Sequence, residues 1–341
     1  MQVELDKVPE KILIIKPSSL GDIIHSLPVL AVLRRNYPHA EIHWVVARGL
    51  HLFLENHPMI DRLWIINKDQ WKSLAYLPKT LSEVTQLYRG LRQQKFDLSI
   101  DLSGLLRSGL ITLASGARCK VGFKESDEGS PMFYTHRVTG GMDNHAIDRY
   151  LSIPQALGCE IGEVEYPMAP FDENPSLMAE LPERYAVIAP SAGKEANRWP
   201  AERFGELASR MQIPSVVISG KSDAAVAEQV VATSQGRAIS LAGRTNLKEL
   251  LAVIKKACIF ISNDTGPMHM AAAFRVPVFA IFGPANPVRT GPYGNNTIIS
   301  LDLNCAPCYR WQPCDNWRCM EGLTVDRVLQ TILARTEGRA E

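Results

Sequence analysis

An excess of charge of either sign is what this chain lacks most plainly: 37 Lys and Arg stand against 36 Asp and Glu, a formal net charge of +1. Without a global field, nothing draws in nucleic acid or an anionic surface as a whole, and any anion must be held by local groups. No run approaches the roughly 18–20 apolar residues that a membrane-spanning helix needs. The opening MQVELDKVPEK is polar and mixed in charge, with no signal-peptide core. The expectation is a cytoplasmic protein that touches a membrane only peripherally.

Familiar catalytic fingerprints are missing too. No G-x-G-x-x-G follows the first apolar run and no G-x-x-x-x-G-K-[ST] occurs, so dinucleotide and P-loop readings lack their glycines. No D-x-D pair stands ready to hold a divalent metal on a diphosphate, and H-E-x-x-H and G-x-S-x-G are absent. A diphosphate would have to be neutralised by a helix end and basic side chains, and no cofactor or metal is assigned. The seven cysteines are an odd total, which argues against a disulfide framework. Cys119, Cys159 and Cys258 are scattered, whereas Cys305, Cys308, Cys314 and Cys319 crowd together as C-x2-C-x5-C-x4-C. That spacing departs from the usual zinc ribbon and leaves reduced structural thiols or a structural zinc open.

What is present is alternation. ILIIK (12–16), EIHWVV (41–46), DRLWII (61–66) and DLSIDL (97–102) read as strands buried on both faces, separated by helical segments. Residues 122–144, rich in glycine, serine and charge, read as a long loop, and a proline-rich stretch at 165–185 reads as a linker. Beyond it YAVIAP (185–190), SVVISG (215–220), AISLAG (238–243), CIFISND (258–264) and VPVFAIFG (276–283) restart the pattern. The expected architecture is α/β: two doubly wound domains, 1–170 and 171–341, with ligands at the carboxyl ends of the strands and in the cleft between the domains.

Three strand-to-helix turns carry candidate chemistry. KPSSLGDIIHSLP (16–28) puts Asp22 at the tip of a core strand, where it either caps the following helix or serves as a base; His25, one turn on, is the rival base. NDTGPMHM (263–270) offers free N–H groups at Thr265 and Gly266, with Pro267 in the first turn, which suits an anion or a plain capped helix. APSAGKEANRWP (189–200) adds Ser191, Ala192, Lys194 and Arg198 before a helix.

Together KPSSLGDIIHSLP, DLSGLLRSG, RWPAERFGELA and NDTGPMHMAAAFRVPVFAIFGPANP resemble the lipopolysaccharide heptosyltransferases, glycosyltransferase family 9, over roughly residues 11–330. KDQWKSL and DLSGLLRS look most like the members that add the first heptose. The resemblance implies a GT-B fold of two Rossmann-like domains, with the final helix packing back on the N-terminal one. It implies ADP-L-glycero-D-manno-heptose as donor, a Kdo-containing lipid A core as acceptor, and inverting, metal-independent transfer at the inner membrane surface. Transfer of a second heptose or another sugar, a non-catalytic sugar-nucleotide-binding protein and an epimerase are the alternatives.

By the same resemblance Asp22 is the general base, its basicity raised by partial desolvation. Ser191, Ala192, Thr265 and Gly266 hold the diphosphate, Asp264 bonds the sugar and His269 positions the donor. Asp223 lies by the ribose and Thr245 by adenine. The chain departs from the family at Asn197, where a lysine is usual; Lys194 or Arg198 is the substitute cation. Ser19 and Gly21 shape the turn that holds phosphate or sugar. An anionic acceptor calls for cations in the first half, for which Lys68, Lys72, Arg107, Lys120 and Arg137 are the candidates, with Trp71 and Phe133 as stacking partners.

Overall fold

A computed structural model describes residues 2–68, 70, 77–126, 128–171, 173–309 and 314–336. The chain divides into two compact units, Met1–Pro170 and Phe171–Glu341.

The N-terminal unit is built on strands β1 (Lys11–Ile15), β2 (Glu41–Ala47), β3 (Arg62–Ile66), β4 (Leu98–Asp101), β5 (Cys119–Phe123) and β6 (His136–Val138). Helices α1 (Leu20–Asn36), α2 (Leu77–Gln94), α3 (Leu106–Ser115) and α4 (Ala146–Ala156) connect or follow them. The C-terminal unit repeats the plan with β7 (Ala186–Ala189), β8 (Ser215–Val217), β9 (Ala238–Ser240), β10 (Ile259–Asn263), β11 (Val278–Ile281) and β12 (Thr297–Ile299). Its helices are α5 (Pro175–Ala179), α6 (Ala201–Arg210), α7 (Ala224–Thr233), α8 (Leu247–Lys255), α9 (Gly266–Ala273), α10 (Pro287–Thr290), α11 (Arg318–Glu321) and α12 (Val325–Thr336).

Both sheets are wholly parallel and share one order, β3-β2-β1-β4-β5-β6 and β12-β11-β10-β7-β8-β9. Read from its first strand outward, each is the doubly wound order in which the direction of winding reverses once. Continuous apolar strands fit this plan because helices cover both faces. In the N-terminal unit Leu13, Ile15 and Val45 pack under Leu91 of α2 and Ile111 and Ala114 of α3. In the C-terminal unit Phe204 and Leu207 of α6 meet Val230 of α7, and α12 buries Val325, Val328 and Ile332 in that same core.

The segment 122–144 is not the long loop that its composition suggested. It completes β5 and supplies β6, an edge strand of three residues too short to show a period. Gly122 belongs there for a steric reason, since a Cβ at this position would collide with the Tyr134 ring. Among the described residues no helix is long and apolar enough to cross a membrane.

Candidate active site

In a doubly wound sheet the ligand crevice opens where the winding reverses, beyond the carboxyl ends of the two strands flanking that point. Those strands are β1 and β4 in one unit and β7 and β10 in the other.

Asp22 follows β1 as the third residue of α1, with Ser19 as N-cap. Its Oδ2 accepts the Ser19 N–H at 2.9 Å and the Ser19 hydroxyl at 2.8 Å, so the capping role is real. Oδ1 is committed elsewhere. It accepts the Tyr150 hydroxyl at 2.8 Å and lies 3.3 Å from Lys16 Nζ. Lys16, only 5% exposed, also donates to Tyr150 Oη at 2.7 Å and to the Leu102 carbonyl at 3.2 Å. Three groups from β1's end, α1 and α4 thus form one charged cluster at the reversal point.

Burial alone would raise the Asp22 carboxyl. The Lys16 ammonium, the Ser19 N–H, the His25 ring and the Ser19 hydroxyl outweigh it and hold the group below the usual carboxylate range. The expectation that desolvation makes Asp22 more basic is therefore corrected: its ion pair wins. Burial likewise opposes the Lys16 charge, but Asp22 and Tyr150 keep its pKa above the ordinary value. His25 is buried, its ring edge-on to His145 with centroids 5.2 Å apart. Neither Lys16 nor Tyr150 was singled out in the sequence. The signal for Lys16 was available, because a cation ending an otherwise apolar strand must find a partner.

Gly21 is buried beside Asp22 in the first turn of α1. The other first-half candidates are spread out. Arg107 begins α3 just beyond β4. Arg137 aligns through Gly122 with Asp101 near the carboxyl edge, and its Nε donates to the Pro131 carbonyl at 3.0 Å. Lys68 follows β3. Lys120 is not brought to this edge: it lies near the amino end of β5, with Nζ on the Ala117 carbonyl at 2.8 Å. Lys72 and Trp71 lie outside the described residues. The DLSG segment has a structural explanation. Buried Asp101 accepts the N–H groups of Ser103 and Gly104 at 2.8 and 3.1 Å and the Tyr134 hydroxyl at 2.7 Å. Gly104, at φ +69°, makes that turn without a Cβ penalty.

In the C-terminal unit Ser191 and Ala192 follow β7, and Asp264, Thr265 and Gly266 follow β10. Asn263, the buried end of β10 and unnoticed in the sequence, ties the two loops together. Its Nδ2 donates to the Pro190 carbonyl at 2.6 Å and its Oδ1 accepts the Trp199 N–H at 3.0 Å. Thr265 is the N-cap of α9, yet its side chain makes no cap bond, so the first turn offers N–H groups to a ligand. His269 lies buried one turn further along α9.

Asn197 is 6% exposed and its Nδ2 donates to Asp264 Oδ2 at 3.3 Å. Its Oδ1 and the Ser191 Oγ are both buried with no partner. Such atoms cost about 1–3 kcal/mol each until a ligand or water satisfies them. Burial pushes the Asp264 carboxyl up to about 6, against the opposing charge of Lys194. Of the two candidate cations in this loop, Lys194 and Arg198, the second is occupied by the fold. It donates to the Ala192 carbonyl at 2.9 and 3.1 Å and pairs with Asp223 at 3.2 Å. Lys194 is the cation that acts on Asp264. Asp223, N-cap of α7, and Thr245 stand beyond β8 and β9 on the same edge.

All seven cysteines are free thiols. Cys305 and Cys308 are exposed, Cys319 is buried behind Gly283, and no metal-holding group of His, Cys, Asp or Glu occurs among the described residues.

Comparison with known proteins shows the family and the fold. A sequence model of glycosyltransferase family 9 (heptosyltransferase) matches residues 84–316. The lipopolysaccharide heptosyltransferase 1 of Pseudomonas aeruginosa is 29% identical over 310 residues, covering 88% of this chain and 86% of that protein. The lipopolysaccharide core heptosyltransferase OpsX of Haemophilus influenzae is 25% identical over 306 residues, covering 86% and 85%. The Escherichia coli heptosyltransferase WaaC, solved with ADP, superimposes with a TM-score of 0.78 at 23% identity, over 95% of this chain and 99% of that one. With two Rossmann-like sheets in GT-B style and a family match across most of its length, the chain belongs to glycosyltransferase family 9, the heptosyltransferases.

Proposed function

We propose that the protein moves L-glycero-D-manno-heptose from ADP-heptose to a Kdo-containing lipid A core, with inversion and without a metal, at the inner membrane surface. The observation that carries the chemistry is Asp22, a carboxylate fixed through both oxygens at the reversal point of the first sheet. In this reading the N-terminal unit supplies the base, and the C-terminal unit binds the donor.

The acceptor hydroxyl attacks the anomeric carbon, the bond to the β-phosphate oxygen breaks, the hydroxyl proton passes to Asp22, and ADP leaves. A single displacement by the acceptor inverts the centre. A depressed pKa suits a late proton transfer. As the new C–O bond forms, the attacking oxygen becomes oxonium-like and far more acidic than any carboxylic acid, so a weak base that is always ionised suffices. Such assistance is typically worth about 10²–10⁴ in rate. The growing charge on ADP is met by the N–H groups of Thr265 and Gly266 and by Lys194, in place before the reaction. Ser191 Oγ and Asn197 Oδ1, unpartnered in the buried loops, bind donor groups, and Asp264 bonds sugar hydroxyls. Ser19 and Gly21 shape the base's turn. Arg107, Arg137 and Lys68 serve the anionic acceptor.

The test is ADP release from ADP-heptose with and without Kdo2-lipid A, for the parent and Asp22→Asn. Release that depends on acceptor and falls at least about a hundredfold in the variant, with donor binding kept, supports the reading. Equal rates in both remove Asp22 from its role. Acceptor-independent consumption of donor points to an epimerase, and preference for an acceptor already carrying heptose makes this a second-heptose transferase.

A further inference from the structure

The outer face of α3 is made of leucine. Leu106, Leu110 and Leu113 are 45, 50 and 46% exposed and are the only exposed positions of the helix; Arg107 is half-buried and the rest are buried or nearly so. Their spacing puts them on one face, where a surface helix ordinarily carries polar residues. Neighbouring α2 also exposes apolar Leu81, Val84 and Tyr88, alongside polar Ser82, Thr85, Gln86 and Arg89. The two helices pack side by side over the same sheet face, sharing one cluster through Leu87, Leu91, Ile111 and Ala114. Their outer faces therefore point the same way, away from the sheet. Met132, 70% exposed, joins them from a turn whose Phe133 ring fills the space over Gly109.

The charge on these two helices is one-sided. On them Lys79, Arg89, Arg92 and Arg107 face Glu83, and beside α3 Glu128 accepts the Leu106 N–H at 3.0 Å, in a chain whose net charge is only +1. The Arg92 guanidinium stands 5.7 Å from the centre of the Tyr88 ring, so cation and apolar surface adjoin. Apolar residues bordered by cations match the layers of an anionic bilayer, acyl chains beneath phosphates.

We propose that the α2–α3 face is the docking surface for an anionic lipid bilayer. The leucines, Val84 and Met132 enter the headgroup boundary, while Lys79, Arg89 and Arg92 hold lipid phosphates. It rests on the lipid-linked acceptor proposed above for its purpose, not for its geometry.

The experiment is flotation of the full chain with vesicles of phosphatidylethanolamine and phosphatidylglycerol, or of phosphatidylcholine alone. Two variants accompany the parent: Leu110→Gln with Leu113→Gln, which keeps helix propensity, and Lys79→Glu with Arg89→Glu. The parent floats with anionic vesicles only, and each variant loses at least about tenfold in partitioning at an unchanged melting temperature. ADP release with a delipidated, soluble core acceptor stays at the parent level, and release with the bilayer-embedded acceptor falls. A parent that ignores anionic vesicles overturns the proposal, as does undiminished binding by both variants. So does a parent dimer that the leucine variant splits without any vesicle binding, since a second copy then covers the face. Transfer without flotation leaves the acceptor reading intact and removes the docking surface; flotation without transfer to any core acceptor does the reverse.

Discussion

Replacing Asp22 by asparagine tests more than a base, because it strands a buried cation. Lys16 is 5% exposed and its counter-charge is Asp22, 3.3 Å away. Two unit charges at that separation attract by about 5 kcal/mol at an effective dielectric near 20. The Asp22 side chain is 36% exposed, so solvent screens the pair, and about 2 kcal/mol is the working figure. Asp22→Asn keeps an oxygen for the Ser19 cap but leaves Lys16 with only Tyr150 and the Leu102 carbonyl. Lys16→Met leaves the carboxylate with Tyr150 and Ser19.

Each single variant should therefore destabilise the N-terminal unit by about 2 kcal/mol, and the double variant by no more than either alone. Denaturant unfolding of the three variants reads this as a coupling energy. Activity should divide differently: Asp22→Asn and the double variant both lose about 10²–10⁴ in kcat. Lys16→Met keeps the base but raises its pKa toward the ordinary carboxylate range, so the acid limb of its pH–rate profile moves to higher pH. The stability sign agrees. A depressed carboxyl stabilises the fold above its unfolded pKa near 4 and loses that contribution as pH falls through the folded value. Additive singles, or a double variant that regains activity, would refute the coupling on which the argument stands.

Asp264 has the opposite sign. Its carboxyl is raised to about 6, so the fold is penalised as pH climbs from about 4 to 6, and fully above that. Asp264→Asn should stabilise the C-terminal unit by about 1–3 kcal/mol at pH 7.5 and not at pH 4, while weakening ADP-heptose binding; melting curves at both pH values and calorimetric titration check it. Asn197→Lys, which places an ammonium beside Asp264, should draw that carboxyl down and tighten ADP binding about fivefold or more, and unchanged affinity would show that the lysine usual here is not missed. Gly205→Ala brings a Cβ to 2.5 Å from the Val230 carbonyl where α6 meets α7, and a loss of about 1–3 kcal/mol in urea unfolding is expected.

Which parts of this molecule were readable from sequence follows from which physics is local. Nine of the strands fall within apolar runs of the sequence, and the alternation of those runs with helical segments announces the doubly wound plan. The strands that escaped notice, β5, β6 and β12, interrupt that signal with Lys120 and Gly122 or are three-residue edge strands flanked by polar residues and glycine. Pairing to a neighbour makes them strands, and a neighbour is not visible in a linear pattern.

The same division runs through the site. Ser19, Asp22, Thr265 and Gly266 could be picked out because strand-turn-helix junctions and caps are written in consecutive residues. Tyr150 could not, since it reaches Asp22 from a helix 128 residues away in sequence. The pairing of Asp22 with Lys16 reversed the inference that burial alone permits about the Asp22 pKa. Asn263 and Lys16 share the legible part of this lesson. Each is a polar side chain at the carboxyl end of an apolar strand, the one place in a parallel sheet where a buried hydrogen-bonding group can reach the loops that hold a ligand. The counterpart of β10 in the repeated strand order is β4, which ends at buried Asp101, so in both sheets a buried polar residue at this strand end holds a loop at the carboxyl edge: Asp101 through the Ser103 and Gly104 N–H groups, Asn263 through Pro190 and Trp199.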